Sequence, residues 1–460
     1  MFSMNKTNDP RYIAFTLINA GQKQTLPLDR AVEDASQHLE RLSQKDKGLC
    51  HAIVFGVFRH RGRIDQLIDH CAKLAFDRID AKVKTILRIG VFQLVFLDRV
   101  PDFAAINTSI ELAKPICGKK ASGFINAVLR NVSRSHKEIA LPCAHKDLTG
   151  HLTAAFSIPA WLGKRWAERY GGEKTLALAE TLMQLPPLTL RANPHKISRD
   201  ALVADFKQAG IDAQATRFSP LGLQLQTSGI AIPNLPGFNE GLFQVQDEAA
   251  QLAVQLLGPK PGETILDACA GLGTKTCHMA LEMENKGNIT ANDTGQSKAE
   301  RLNNEAGRLN IDIIESTHVD MSRAGINDFS SYFDRVLVDA PCTGLGVLAR
   351  NPDSRWKRKQ KDIMRMAALQ KKILNGSANL VSPGGVLVYA VCSCEPEETT
   401  QVIARFLDKR KDFSPDPSGF EKQLPFFCES GSQTFQKTTF PDHLDMDGFF
   451  MTRMRRNKKN

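Results

Sequence analysis

From Gly241 onward, short apolar runs rich in β-branched residues alternate with helical segments, and this alternation restricts the fold more than any other feature of the 460 residues. The runs are TILDACA (264–270), NITAND (288–293), IIESTHVD (313–320), RVLVDAP (335–341) and GGVLVYAV (384–391). Between them lie segments such as TKTCHMALEME and SKAERLNNEAGRLN, whose apolar residues recur at helical spacing. Strands that alternate with helices predict a parallel sheet wrapped by helices, a Rossmann-like α/β domain over 241–460. FFMTRMRR (449–456) adds a last strand before the basic tail NKKN, and the aperiodic stretch 411–447 reads as a long surface loop.

The first half reads differently. Residues 1–145 carry helical periodicity throughout, as in AKVKTILRIGVFQLVFL (81–97) and ASGFINAVLRNV (121–132), with few strand signals. Residues 146–240 read as a small α+β unit. Its helix WLGKRWAERYGG stops at Gly171 and Gly172 in a left-handed cap, then PPLTLRANP forms a strand, SRDALVADFKQAG a capped helix and LGLQLQTSG a second strand. The chain is thus expected to be multi-domain, with a helical N-terminal domain, a small RRM-like α+β middle domain and a C-terminal α/β domain.

Bulk properties narrow the function classes. No apolar run reaches the roughly 18–20 residues of a membrane span, and the N-terminus lacks the layout of a signal peptide. A cytoplasmic protein that holds no membrane is expected, with reduced thiols and, as the simplest assembly, a monomer. The ten cysteines are scattered without paired knuckles at zinc spacing, so no metal site is expected. A net charge of +10 suits a polyanionic partner.

In an open α/β sheet the ligand lies at the carboxyl ends of the strands. The first strand here runs into Gly271-Leu272-Gly273-Thr274-Lys275-Thr276 and then a helix. A Walker loop would need glycine where Thr274 stands, and the dinucleotide fingerprint would need glycine where Thr276 stands. The acids fit better. Asp267, Asp293, Asp320 and Asp339 close four strands in series, and Asp293 is placed to accept ribose hydroxyls. One aspartate at a strand end is usually a turn former, but four along one edge point to a ligand with a ribose and a positive centre. S-adenosylmethionine has both and carries no phosphate.

Two cysteines end consecutive strands, Cys342 in VLVDAPCTGLG and Cys392 in VLVYAVCSCEPEE. A single buried cysteine is commonly a packing residue. Two beside one cofactor cleft suggest nucleophilic chemistry, provided that positive charge from Lys275 or the sulfonium favours a thiolate. Together these stretches resemble the RNA 5-methylcytosine methyltransferases of the Sun/Nop2 (NSUN) superfamily. The matching motifs are DACAGLGTKT (267–276), Asp293, Asp320, DAPCTGLG (339–346), YAVCSCEPEE (389–398) and the closing DGFFMTRMRR (447–456). INTSIELAK and SGFINAVLRNV resemble a NusB-like RNA-binding helical domain, and LPPLTLRANP the start of the superfamily's small middle domain.

The resemblance implies transfer of a methyl group from S-adenosylmethionine to C5 of a cytosine, after a cysteine thiolate has added to C6. It implies Cys392 as that nucleophile and Cys342 as the thiol that assists product release. Cys269, Ala270, Gly271, Leu272, Gly273, Thr274 and Lys275 would wrap the methionine part of the cofactor, Asp293 the ribose and Asp320 the adenine side. Asp339 and Lys275 would reach the cofactor or the flipped base, with Pro341 beside the base. The chain departs from the family pattern in Gly271-Leu272-Gly273-Thr274, which replaces Ala-Pro-Gly-Gly, and in Val391, which replaces threonine. Cys394 is an extra thiol which an extended strand would put on the face of Cys392.

For the RNA itself, Arg350 and the following run Arg355-Trp356-Lys357-Arg358-Lys359, with Lys361, read as phosphate contacts with a stacking or packing tryptophan. The NusB-like N-terminus favours small-subunit (16S) ribosomal RNA as substrate. The alternatives are the same chemistry on tRNA or another RNA, and an RNA-binding protein with an inert methyltransferase domain. An amino-group methyltransferase is disfavoured, because Asp339-Ala340-Pro341-Cys342 stands where such enzymes carry Asn/Asp-Pro-Pro-aromatic.

Overall fold

The computed structural model describes residues 9–22, 28–226, 230–428, 434–441 and 446–458. The chain forms two compact units, Met1–Leu185 with Leu348–Gln360, and Pro186–Val347 with Lys361–Asn460. The first unit is helical, and among its described residues there is no strand. Its helix Ala81–Phe96 starts at Asp80, whose side chain accepts the N–H groups of Lys82 and Val83, and buries a continuous run from Ile86 to Gln93. A helix buried almost all round must sit at the centre of its bundle. The helices Leu148–Phe156, Ala160–Tyr170 and Gly172–Thr181 also belong to this unit. Gly171 does end its helix at positive φ, but its ψ of 165° is extended rather than left-handed helical, and the next helix starts at once.

The second unit holds two sheets. The smaller consists of β1 (Leu188–Ala192), β2 (Asp212–Ala215), β3 (Gly222–Gln226) and β4 (Phe243–Val245), all antiparallel in the order β2-β3-β1-β4, with a helix at Arg199–Gln208. Two of these strands were not expected. The polar text of β2, DAQA, hides its single buried side chain, and β4 is only three residues long and lies beyond the expected boundary at 240.

The larger sheet consists of β5 (Thr264–Asp267), β6 (Asn288–Asn292), β7 (Ile314–Thr317), β8 (Phe333–Asp339), β9 (Val381–Val391), β10 (Phe413–Pro415), β11 (Gln436–Thr439) and β12 (Phe449–Arg456). Its order is β10-β12-β9-β8-β5-β6-β7, with β11 also on β12. The five strands from β9 to β7 are parallel, whereas β12 is antiparallel to β9. A plain dinucleotide fold would place its sixth strand next to the fifth; here the last strand, β12, inserts there and reverses the edge. Alternation along the strands feeds two cores. Ile265, Leu337, Val388 and Ala390 face one layer with the helix Glu248–Leu257, and Leu266, Val336, Val338, Leu387 and Tyr389 face the other. The stretch 411–447 is not one long loop. It contributes β10, a helix at Ser418–Gln423 and β11, while 429–433 and 442–445 lie outside the described residues, as do tail residues 459–460.

Candidate active site

The switch in strand order falls between β5 and β8, the place where open α/β sheets bind ligands. Glycine conformation shapes this mouth. Gly271 and Gly273 have φ of 60° and 82°, and Gly273 leads directly into the helix Thr274–Glu282. A β-carbon on Gly271 would meet no atom within 4 Å, so the loop opens onto free space on its ligand side. From β1 of the small sheet, the fully buried Arg191 holds this turn by donating to the Thr274 carbonyl at 3.2 Å.

Asp293 follows β6. Its Oδ2 accepts from the Gly271 N–H at 3.1 Å and its Oδ1 from the Gly295 N–H at 2.9 Å. Lys298 donates to both oxygens at 2.9 Å, a partner that the sequence did not reveal. Asp320 is exposed beyond β7, where its own hydrogen bonds to Ser322 hold its carboxyl below the usual range. Asp267 is the opposite case. It is buried, accepts from Thr276 Oγ1 at 2.7 Å, and leaves Oδ1 without a partner. Desolvation pushes its pKa up to about 7.

At the end of β8, Asp339 Oδ2 accepts from Lys275 Nζ at 2.5 Å. Burial opposes the Lys275 charge, but Asp339, followed by Cys392 and Asp267, outweighs it and raises the pKa of the ammonium. The two thiols meet beside this pair. Adjacent parallel strands β8 and β9 release them on the same edge, and Cys342 Sγ lies 3.1 Å from Cys392 Sγ. The contact with Cys392 first, and burial second, hold the Cys342 thiol well above its usual range. Cys394 does not share the face of Cys392. The strand ends at Val391, and Cys394 turns away to the Thr439 carbonyl at 3.5 Å and the backbone of Gly448.

Glu398 is the residue that sequence reading passed over. It is fully buried, and its carboxylate accepts from Thr343 N–H at 2.8 Å, Thr343 Oγ1 at 2.5 Å, Ser393 Oγ at 2.7 Å and Gln370 Nε2 at 3.1 Å. Its only signal in the sequence was membership of the Pro-Glu-Glu text, which says nothing of where the side chain points.

The basic run after the Pro-Cys turn divides by burial. Arg350 and the rest of 348–360 belong to the helical unit, not to the unit that carries the thiols. Arg355 is fully buried there and donates to the carbonyls of Phe156, Leu182 and Leu348 at 3.0, 3.3 and 3.0 Å. Trp356 donates its indole N–H to the Phe58 carbonyl at 2.9 Å under the Arg61 guanidinium, and Lys357 pairs with buried Asp353 at 2.7 Å. Arg355 and Trp356 thus serve the packing of the helical unit, whereas Lys359 and Lys361 are exposed.

A sheet of this order, with a glycine turn, strand-end acids and two facing thiols, defines a Rossmann-like methyltransferase domain joined to a helical domain and a ferredoxin-like one. Known proteins agree. Residues 254–455 match the 16S rRNA methyltransferase RsmB/F family, residues 8–134 the NusB family, and residues 158–231 the ferredoxin-like domain of RsmF/B-like methyltransferases. The probable ribosomal RNA small subunit methyltransferase B of Synechocystis sp. is 33% identical over 97% of this chain and 99% of its own. That of Bacillus subtilis is 34% identical over 90% and 92%. The chain belongs to the 16S rRNA methyltransferase RsmB/F family. Among solved structures, PH0851 shares the fold over 100% of both chains, with a TM-score of 0.81 at 24% identity. A methyltransferase homologue from Pyrococcus horikoshii matches 66% of this chain and 97% of its own, with a TM-score of 0.56 at 27% identity.

Proposed function

We propose that this protein methylates C5 of a cytosine in small-subunit ribosomal RNA through a covalent Cys392–C6 adduct, with S-adenosylmethionine as methyl donor. The observation that carries the reading is the contact of Cys342 with Cys392 at two adjacent strand ends, beside the Lys275–Asp339 pair. The relatives named as ribosomal RNA small subunit methyltransferase B support the choice of RNA.

The cofactor fits the residues present. Asp293 offers a carboxylate next to the open face of Gly271, and Asp320 offers a second acid further along the edge. Residues 269–275, Asp293, Asp320 and Asp339 would hold it, and when bound it supplies an electrophilic methyl group. The protein must make C5 nucleophilic. Cys392, as thiolate, forms a bond to C6 and shifts the ring electrons so that C5 becomes the carbon of an enamine. The Lys275 ammonium lies within electrostatic reach of Cys392. Asp339 would accept from the polar edge of the base. After methylation a base takes the C5 proton, the electron pair restores the ring, and Cys392 leaves as thiolate. Cys342, in contact with that sulfur, assists the release.

A covalent-trapping assay tests this. Wild type, Cys342→Ala and Cys392→Ala are incubated with S-adenosylmethionine and protein-free small-subunit RNA, with tRNA as a second substrate, then run on a denaturing gel. The expected result is an RNA-linked band that accumulates for Cys342→Ala and is missing for Cys392→Ala, with ribosomal RNA only. The reverse pattern would exchange the two roles, and no adduct with any RNA would remove the covalent mechanism.

A further inference from the structure

Two thiols carried on separate turns do not stay in contact by themselves. Cys342 lies in the turn after β8, whose Gly344 has positive φ, and Cys392 is the first residue past β9. Holding both sulfurs in place costs conformational entropy that some fixed group must offset. Glu398 is placed to do this. Its carboxylate receives the residue that follows each cysteine, Thr343 after Cys342 through both N–H and Oγ1, and Ser393 after Cys392 through Oγ.

The grip reaches the residues ahead of each cysteine. Gln370, from the helix Gln360–Asn379, donates to Glu398 Oε1 and also to the carbonyl of Pro341, just before the first cysteine. Tyr389, in β9 three residues before the second, donates its hydroxyl to the Glu398 carbonyl at 2.6 Å. All four groups around the carboxylate are donors, and an ionised carboxylate has the four lone-pair sites to receive them. Such charge-assisted bonds in a dry site are stiff and direction-dependent. A network this complete is a costly way to fill a core, since leucine could pack there without buried charge.

We propose that Glu398 is the positioning residue of the thiol pair, fixing the two cysteine-bearing turns against each other so that the second sulfur reaches the first during the reaction. It touches neither base nor cofactor; it acts through Thr343 and Ser393. The assignment rests on the two-thiol reading above for its meaning in catalysis, but the geometry it claims can be tested without RNA.

The test measures how fast the pair can be linked. Diamide takes two electrons and two protons from two thiols, becoming the hydrazine while one S–S bond forms, and peptide mass mapping identifies the Cys342–Cys392 link. The full-length protein is compared with Glu398→Ala and Glu398→Gln. Glutamine keeps an acceptor oxygen, and the Thr343 and Ser393 hydroxyls can rotate to meet its amide, so it is expected to stay within about threefold of the wild-type rate. Alanine is expected to slow linkage by on the order of tenfold or more, as effective concentration falls when the turns are released. Alkylation of each single thiol and a cooperative melting curve would persist. Linkage of Glu398→Ala at the wild-type rate overturns the proposal. Should that variant fail to fold, Ser393→Ala and Thr343→Val each remove one donor; slower linkage in both supports the clamp, and unchanged linkage in both overturns it. On small-subunit RNA, Glu398→Ala should lower kcat and leave KM for RNA in place. If the linkage rates behave as expected but wild type forms no RNA adduct, the methylation reading fails and the clamp stands.

Discussion

Asp267 ends β5 with one carboxylate oxygen bonded to Thr276 and the other bonded to nothing. Because burial lifts its pKa from 3.8 to about 7, the folded protein binds a proton at pH 5 or 6 that the unfolded chain has already lost. Stability from this group is therefore fully present below the ordinary carboxylate range and declines as pH rises to about 7. The shift corresponds to something on the order of 4 kcal/mol at most. Asp267→Asn keeps an acceptor for Thr276 and removes the buried charge. Relative to wild type it should gain stability between pH 5 and pH 8, read by urea unfolding at both. A constant difference across that range would mean that the carboxyl does not titrate there. At this scale the sequence was informative about which acids cluster and silent about their states. Asp267, Asp293 and Asp320 look alike as strand-end aspartates. One is buried with an orphaned oxygen, one is gripped by Lys298, and one is exposed. Burial and partners come from chain segments far away in sequence, so no local pattern reports them.

Gly346 joins three elements that never neighbour each other in the text. Its N–H donates to the Cys392 carbonyl at 3.1 Å, and its own carbonyl accepts from Gly448, just ahead of β12, at 2.9 Å. A β-carbon on Gly346 would stand 1.9 Å from the Gly448 oxygen, and backbone cannot swing aside as a side chain can. Gly346→Ala should therefore separate the turn after β8 from β12, at a cost of about 2–4 kcal/mol. Hydrogen exchange should show faster opening of β12 while β5, β6 and β7 keep their protection; uniform loss across the sheet would argue against a local joint. The parallel strands were legible because β-branched runs of fixed length alternate with amphipathic helices. Less was legible where elements were short or polar. The three residues of β4 and the DAQA of β2 carry no periodic signal, and β10 and β11 were lost inside a stretch read as loop.

The chain leaves the catalytic unit at Val347, spends residues 348–360 in the helical unit and returns at Lys361. The sequence showed the charges of this excursion but not its destination, because Arg and Lys are usually exposed and only buried carbonyls could have drawn Arg355 inside. Here Phe156, Leu182 and Leu348 supply those carbonyls, and Trp356 covers Phe58. Hydrogen bonds from a charged donor contribute roughly 1.5–3 kcal/mol each, so Arg355→Ala should destabilise the helical unit by about 3 kcal/mol or more, even after partial compensation by water. Cutting the molecule gives a sharper test. In a fragment of residues 186–460, the segment 348–360 keeps its place in the chain but has lost every acceptor that Arg355 uses except Leu348. Limited proteolysis should then cleave within 348–360 in the fragment and spare it in the full-length protein. Equal resistance in both would mean that the excursion is held by the catalytic unit, and that Arg355 and Trp356 are not what orders it. Cleavage confined to the fragment would make the helical domain a structural condition for the segment leading out of the Pro-Cys turn.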